Sequence, residues 1–321
     1  MSNNIKKVLL VGAGNMAREY AKVLQAMDIT FEVVTNGSEN AQKMRHEFGA
    51  KVYEGGLKKA VEDGVVADYN YAINAVNAEN LSSTSCLLLD SGINNCLIEK
   101  PGFTSRLEAE VLKQKSKGTN VYIAYNRRFY ASVDRGKEII ESDGGITSFS
   151  FEFTEWSHIF DKRDNKENLK FLFLGNSTHV VDMAFYLAGG MPTDYKCFVS
   201  GKNEVEWHKK GSLFTGAGMM ENGALFSYSA NWRAPGRWGV EVNTRKHRLI
   251  YRPLEKLQLM DIGSVAVYDA DVDYSFDEVY KPGLYKEVKS FLNDNNDKKL
   301  CTLDEQMGKI SMYAMISGEE Y

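Results

Sequence analysis

Residues 7–21 read KVLLVGAGNMAREYA. Val8 to Val11 form a short apolar run, Gly12 and Gly14 interrupt it, and Ala17, Tyr20, Ala21 and Leu24 then recur at helical spacing. A continuous apolar run fits a strand buried on both faces, and the change of period fits a helix that follows it. Gly12, Gly14 and Ala17 stand in the spacing Gly-x-Gly-x-x-Ala. The first glycine permits a tight turn, the second lets the backbone approach a pyrophosphate, and the small third residue keeps helix and sheet close. Free N–H groups at the helix start, around Asn15, Met16 and Ala17, then face the anion. The strand before the triplet and the helix after it make this loop a candidate dinucleotide site rather than a structural glycine turn.

The alternation continues outward to about residue 125 through TFEVVT, ENAQKMRHEFG, KVYEGG, LKKAVEDG, YNYAINAV, NCLIEKPG, RLEAEVLKQKSKG and NVYIAYNRRF. Strands alternating with helices predict a doubly wound parallel sheet, covered on both faces. After about residue 145 the texture changes. ITSFSFEFTEW, SLFTGAGMM, ALFSYSANW, GVEVNTRKHRLIY and SVAVYDADV alternate apolar and polar residues between glycine turns, which predicts an antiparallel sheet with one buried face. Helical segments STHVVDMAFYLAGG and YKEVKSFLND interrupt it, and DEQMGKISMYAMISG closes the chain. The expected fold class is α/β: an N-terminal Rossmann doubly wound parallel sheet and a C-terminal α+β domain with a large, mostly antiparallel sheet. Residues 1–125 are the expected dinucleotide-binding domain. Residues 126–321 are the expected second domain, for which the family resemblance carried by the motifs below implies substrate binding and oligomerisation, with a C-terminal helix packing back on the first.

The 321 residues carry 39 basic and 43 acidic side chains, a formal charge of −4, and 43% of them are hydrophobic. That balance argues against general nucleic-acid or anionic-membrane binding and for small-molecule partners. No apolar run approaches the ~20 residues that span a bilayer, and the N-terminal apolar run is too short for a signal-peptide core, so a cytoplasmic protein is expected. Cys86, Cys96, Cys197 and Cys301 are scattered, as reduced thiols would be, and no cluster has metal-ligand spacing.

The second strand ends VVTNGSEN, with Thr35, Asn36 and Ser38 where an acid that binds ribose hydroxyls would favour NAD. Loss of that carboxylate removes its repulsion of a 2′-phosphate, so the expected coenzyme is NADP, with NAD as the alternative. The fifth strand runs NNCLIEKPGF and stops at Glu99, Lys100 and Pro101, on the edge where ligands of open parallel sheets lie. A lysine there could hold a substrate hydroxyl and exchange its proton, although a surface Lys-Pro turn is the plain alternative. The fourth strand ends at Asn77, the sixth at Asn126, Arg127 and Arg128, and GNSTHVVDMAFYL places His179 and Asp182 one helical turn apart.

With the glycine loop, this order of motifs resembles the Gfo/Idh/MocA family of NAD(P)-dependent oxidoreductases, over essentially the whole chain. The resemblance implies an active site in a cleft between the two domains and homo-dimers or homo-tetramers. It implies that Lys100 touches both substrate and nicotinamide, with a Lys-Pro bond that is often cis, and that His179 meets the reacting hydroxyl. Asn126 and Arg127 match a strand end near substrate. The chain departs from the pattern at Gly175 and Asn176, where many members carry an Asp four residues before the histidine, so Asn176 or Asp182 would have to serve His179 instead. It departs again at Val76-Asn77, where a Thr-Pro pair is usual.

The reading is thus an NAD(P)-dependent dehydrogenase or reductase acting on a carbinol or carbonyl carbon of a sugar or nucleotide-sugar-like substrate. Lys100 and His179 are the candidate catalytic groups. Gly12, Gly14, Asn15, Met16, Ala17, Thr35, Asn36, Ser38, Asn77, Glu99, Lys100 and Pro101 are the candidate coenzyme contacts; Asn126, Arg127, Trp156, Asn176 and Asp182 are the candidate substrate contacts, and no metal is expected. Reduction of an imine or conjugated double bond, and a non-catalytic dinucleotide sensor, are the alternatives. EWSHIF, DKRDNK and ANWRAPGRWG add aromatic and basic candidates for the rim, among them His158, Trp232, Arg233, Arg237 and Trp238, which ordinary packing and solvated loops explain equally well.

Overall fold

A computed structural model describes residues 6–162, 169–293 and 297–321. Along the chain run β1 (Lys7–Val11), α1 (Asn15–Ala26), β2 (Thr30–Thr35), α2 (Ser38–Phe48), β3 (Lys51–Glu54), α3 (Gly56–Glu62), β4 (Tyr71–Asn74), α4 (Leu81–Asp90), β5 (Asn95–Glu99), α5 (Arg106–Lys115) and β6 (Asn120–Ala124). There follow α6 (Ala131–Ser142), β7 (Ser148–Glu152), α7 (Ser157–Phe160), α8 (Thr178–Ala188), β8 (Pro192–Ser200), β9 (Leu213–Met220), β10 (Leu225–Asn231), β11 (Gly239–Asn243), β12 (His247–Tyr251), β13 (Gln258–Asp261) and β14 (Tyr268–Asp269). The chain ends with α9 (Ser275–Val279), α10 (Leu284–Asn293), β15 (Cys301–Thr302) and α11 (Leu303–Ser317). No helix among the described residues is long and apolar enough to cross a membrane.

The chain divides into two compact units. One contains the described residues up to Asn126 together with Phe276–Gly308; the other contains Arg127–Ser275 and Lys309–Tyr321.

In the first unit, a seven-stranded sheet has the order β15-β6-β5-β4-β1-β2-β3, parallel except where β15 runs against β6. Val8, Leu9 and Leu10 of β1 and Cys96, Leu97 and Ile98 of β5 are wholly buried, as a parallel sheet covered on both faces requires. Residues 276–308 join this unit because α10 is amphipathic and buries Leu284, Val288, Phe291 and Leu292. Phe291 meets Tyr71 of β4 and Tyr122 of β6 edge-on, with ring centroids 5.7 and 6.4 Å apart.

The second unit holds an eight-stranded sheet of order β14-β13-β12-β11-β7-β10-β9-β8, antiparallel apart from the β7–β10 pair. Its inner face is aromatic: Phe149 stacks on Phe226 at 5.3 Å and Phe151 on Tyr228 at 5.2 Å. Phe185 of α8 meets Phe149, Phe151 and Phe226 edge-on at 5.5, 5.8 and 5.2 Å, which fastens the helix across the sheet. The outer face shows Phe198, Leu225 and Met219 to solvent.

Two local readings are corrected. SVAVYDADV supplies only the two-residue β14, because Val265 and Val267 are both exposed and the segment buries neither face. The sixth strand ends at Ala124, and Asn126–Phe129 form a 3-10 turn, so Arg127 and Arg128 are not opposed strand neighbours.

All four tryptophans, at positions 156, 207, 232 and 238, lie in the second unit, so their fluorescence reports on that unit alone. Phe185→Ala is expected to destabilise it by about 3–5 kcal/mol through the cavity left in the aromatic face. A lowered urea midpoint by tryptophan fluorescence checks this, and an unchanged midpoint would mean that Phe185 does not fasten α8.

Candidate coenzyme cleft and active-site groups

The first unit carries a cleft of about 370 Å³ beyond the carboxyl ends of β1, β2 and β4, lined by Gly12, Gly14, Thr35, Asn36, Asn40, Gly56, Asn77, Asn80 and Thr84, among others. Gly12 turns with φ +109°, and a Cβ there would sit 2.6 Å from the Ala75 carbonyl oxygen, so only glycine fits. Gly14 caps α1 without any side-chain hydrogen bond, and a Cβ on it would meet nothing within 4 Å. The first turn of α1 holds no acid, so its N–H groups and dipole are left to an anion from outside. Buried Asn74 fastens the far lip, donating from Nδ2 to the Leu81 carbonyl at 3.0 Å and to Ser85 Oγ at 2.8 Å.

These residues fit a dinucleotide: a glycine cradle and a free helix start for the pyrophosphate, and hydroxyl and amide groups for the ribose. Among the described residues, no charged side chain lines the cleft. Of the expected coenzyme contacts, Gly12, Gly14, Thr35, Asn36 and Asn77 come together there. Asn15, Met16, Ala17 and Ser38 sit instead in the first turns of α1 and α2. Asn40, Gly56, Asn80 and Thr84 were missed, because they reach the cleft from helix starts and turns that no strand-end rule marks.

Glu99 ends β5 and Lys100 and Pro101 follow it, joined by a cis peptide bond. The turn is closed by the Gly102 N–H donating to the Glu99 carbonyl at 3.0 Å, and Gln306 Nε2 donates to the Pro101 carbonyl at 3.1 Å. Tyr20, wholly buried on α1, donates its hydroxyl to Glu99 Oε1 at 2.8 Å. Burial pushes the Glu99 carboxyl above the ordinary range, while the charge of Lys100 and the Tyr20 hydroxyl pull the other way. Asn126, expected near substrate, spends its amide on the Pro282 carbonyl at 2.9 Å.

In the second unit, a wide helical turn over Phe173–Ser177 leads into α8, where His179 is 5% exposed. Asp182 is 1% exposed, and its carboxylate is already held within the protein. Arg128 donates to it from Nε and Nη2 at 2.7 Å each, and Lys309 Nζ donates at 2.6 Å. Burial alone would raise this carboxyl, but the two cations outweigh it and hold it below 3.8. Asn176 donates to both oxygens of Glu155, at 3.1 and 3.0 Å, and Ser177 Oγ donates to Glu155 Oε1 at 2.7 Å. Glu155 was not singled out in the sequence, where it falls inside the alternating segment ITSFSFEFTEW and nothing marks its partners. Burial raises its carboxyl, opposed by Ser177, Arg237 and Asn176.

Trp156 is exposed, with Nε1 donating to the Gly236 carbonyl at 3.0 Å, and Arg127 lies 4.9 Å from the Trp238 ring centroid. Trp232 is a core residue, its indole N–H bonded to the Phe153 carbonyl at 3.1 Å. His158 is exposed, and Arg233 pairs with Asp161 at 3.6 Å. Residues 163–166 of DKRDNK lie outside the described residues.

This fold and cleft define an NAD(P)-binding Rossmann oxidoreductase. Residues 6–126 match the model of the Gfo/Idh/MocA family, described as an oxidoreductase family with an NAD-binding Rossmann fold. The whole chain shares its fold with several solved structures. UDP-N-acetylglucosamine 3-dehydrogenase from Acidithiobacillus ferrooxidans is 14% identical, with a TM-score of 0.76 over 98% of this chain and 97% of that one. A levoglucosan dehydrogenase in complex with NADH is 18% identical, with a TM-score of 0.76 over 98% and 96%. An oxidoreductase from Agrobacterium radiobacter, in complex with NAD+, L-tartaric acid and magnesium, is 12% identical, with a TM-score of 0.75 over 98% and 95%. Curated protein sequences give no match to this chain.

The Asp182 site yields a prediction about acid stability. Its folded-state carboxyl titrates below the unfolded value, so the stabilisation is complete above about pH 4 and is lost as the pH falls through the folded value. Asp182→Asn leaves Arg128 and Lys309 short of their counter-charge and is expected to cost about 3–5 kcal/mol at neutral pH. It should also flatten the fall in stability below about pH 4, in urea melts followed by tryptophan fluorescence. An equally steep acid limb in the variant would count against this pairing.

Proposed function

We propose that the protein moves a hydride between NADP and a carbinol or carbonyl carbon of a sugar or nucleotide-sugar-like substrate. The observation that carries the reading is the shared sheet edge: the uncharged dinucleotide cleft opens at the ends of β1, β2 and β4, and Lys100 follows the end of β5, which pairs with β4. The preference for NADP over NAD follows from the lining, where Thr35, Asn36 and Asn40 offer hydroxyl and amide donors and no carboxylate repels a 2′-phosphate. The sugar reading is supported by the dehydrogenases of levoglucosan and UDP-N-acetylglucosamine that share the fold.

Gly12, Gly14 and the start of α1 hold the pyrophosphate in this reading, and Asn77, Asn80 and Thr84 hold the sugar and amide groups. When bound, the coenzyme supplies the nicotinamide carbon that gives or takes the hydride. Lys100 Nζ positions the substrate hydroxyl, taking its proton during oxidation and returning one during reduction. Glu99 and Tyr20 fix the turn from which Lys100 projects, and His179 is the second proposed catalytic group. Arg127 and Trp156 contact substrate, and the second unit serves substrate binding and self-association as a homo-dimer or homo-tetramer.

Lys100→Ala is expected to lower turnover by about a hundredfold to ten-thousandfold while leaving the dissociation constant for NADPH within about threefold of wild type. Stopped-flow assays of coenzyme absorbance against a panel of sugars and nucleotide sugars, with NADPH and NADH titrated separately, provide the test. Unchanged turnover removes the role of Lys100, and tighter binding of NADH reverses the coenzyme preference. Self-association uses the outer sheet face, where Phe198 and Leu225 are 64% and 59% exposed. Light scattering at micromolar concentration should give a mass of at least twice 36.1 kDa, and a monomeric mass would remove this part of the proposal.

A further inference from the structure

Rings and guanidinium groups alternate in the second unit, from the buried Tyr130 and Trp238 out to the exposed Trp156. Arg237 lies 4.6 Å from the centroid of Trp156 and 4.3 Å from that of Trp238. Arg127 lies 4.9 Å from Trp238 and 6.0 Å from Tyr130. The loop that carries Arg237 is set tightly on β7: a Cβ on Gly236 would come within 2.5 Å of Glu152 Oε1. Trp156 is tied to the same loop through its bond to the Gly236 carbonyl.

Two arginines in contact with one indole are more cation than their surroundings balance. The ion-pair partner of Arg237 among the described residues is Glu155, at a loose 3.6 Å, and that carboxylate already accepts three hydrogen bonds from Asn176 and Ser177. No carboxylate among the described residues pairs with Arg127, and its buried Nε has no hydrogen-bond partner among them. A guanidinium that uses its face on a ring keeps its in-plane N–H groups for an acceptor, and that fork matches the two oxygens of a carboxylate or phosphate. Arg237 and Trp156, 42% and 45% exposed, leave this edge open to solvent.

We propose that Arg127, Arg237, Trp156 and Trp238 form an oxyanion-binding site, so that the substrate is an anionic sugar derivative bearing a carboxylate or phosphate. This rests on the reading above for what the anion is attached to, not for the binding itself. The arginines take the oxyanion in the plane of their N–H groups, and the exposed Trp156 ring covers an adjoining apolar face of the ligand. A neutral sugar leaves the arginine donors unsatisfied and is discriminated against.

Isothermal titration of the full chain with D-glucuronate, D-glucose 1-phosphate and D-glucose, without coenzyme, tests the site and separates the two sources of oxyanion. At least one anion should bind tenfold or more tightly than D-glucose. Arg237→Gln and Arg127→Gln should each weaken that anion at least tenfold, with the D-glucose constant moving less than twofold and the urea midpoint by tryptophan fluorescence unchanged. Arg237→Lys, which keeps the charge but not the fork, should fall between. Equal binding of all three compounds, or anion binding that survives both glutamine variants, overturns the proposal. Turnover of neutral sugars without anion preference sinks this inference and leaves the proposed function standing. Tight, arginine-dependent anion binding with no hydride transfer from any sugar does the reverse.

Discussion

At Gly12 the backbone passes so close to the Ala75 carbonyl that a methyl group would stand 2.6 Å from the oxygen. Adjacent parallel strands impose that approach: β1 pairs with β4, the Gly12 N–H donates to the Val34 carbonyl of β2, and the Ala75 N–H donates to the Val11 carbonyl. With all three strand ends bonded at this point, the chain has to turn in a conformation open to glycine. The turn aims α1 so that its uncapped first N–H groups border the cleft, and Ala17, fully buried, allows the helix to lie against the sheet. The dinucleotide site is thus a consequence of how the sheet ends.

That part of the molecule was legible because its signals are local. Strand, glycine spacing and helix lie within fifteen residues, and hydrophobic period alone separates them. The membership of residues 276–308 in the first unit was not legible: the amphipathic face of α10 announces that it will be buried, but not against which sheet. The acids show the same limit. Asp182 and His179 share a helix face by spacing, which suggested a common role, yet Arg128 and Lys309 meet the carboxylate from positions 54 and 127 residues away. Glu155 reaches Asn176 and Ser177 across 21 and 22 residues. Only the fold brings these groups together, so spacing could mark the helix but not the partners.

The carboxylates of Asp182, Glu99 and Glu155 are handled in different ways. Asp182 meets two cations at hydrogen-bonding distance, and its charge is retained with stability to spare. Glu99 and Glu155 are buried with hydroxyl and amide donors and only distant or loose cations, and their carboxyls are raised. A raised carboxyl opposes folding at neutral pH, because its charge must be kept where burial disfavours it. Asp182 therefore reads as scaffold. Of the other two, Glu99 precedes Lys100 in the turn after β5, and Glu155 lies 3.6 Å from Arg237.

Those two cations are presented differently, and the difference bears on what each can do. Lys100 follows the end of β5 in the cis-proline turn, and a lysine is a compact charge on a four-carbon stem. The plane of Arg237 is held by indoles at 4.6 and 4.3 Å, so its N–H fork is ordered before a ligand arrives. Ordering in advance lowers the entropy lost on binding and rewards an acceptor of matching shape.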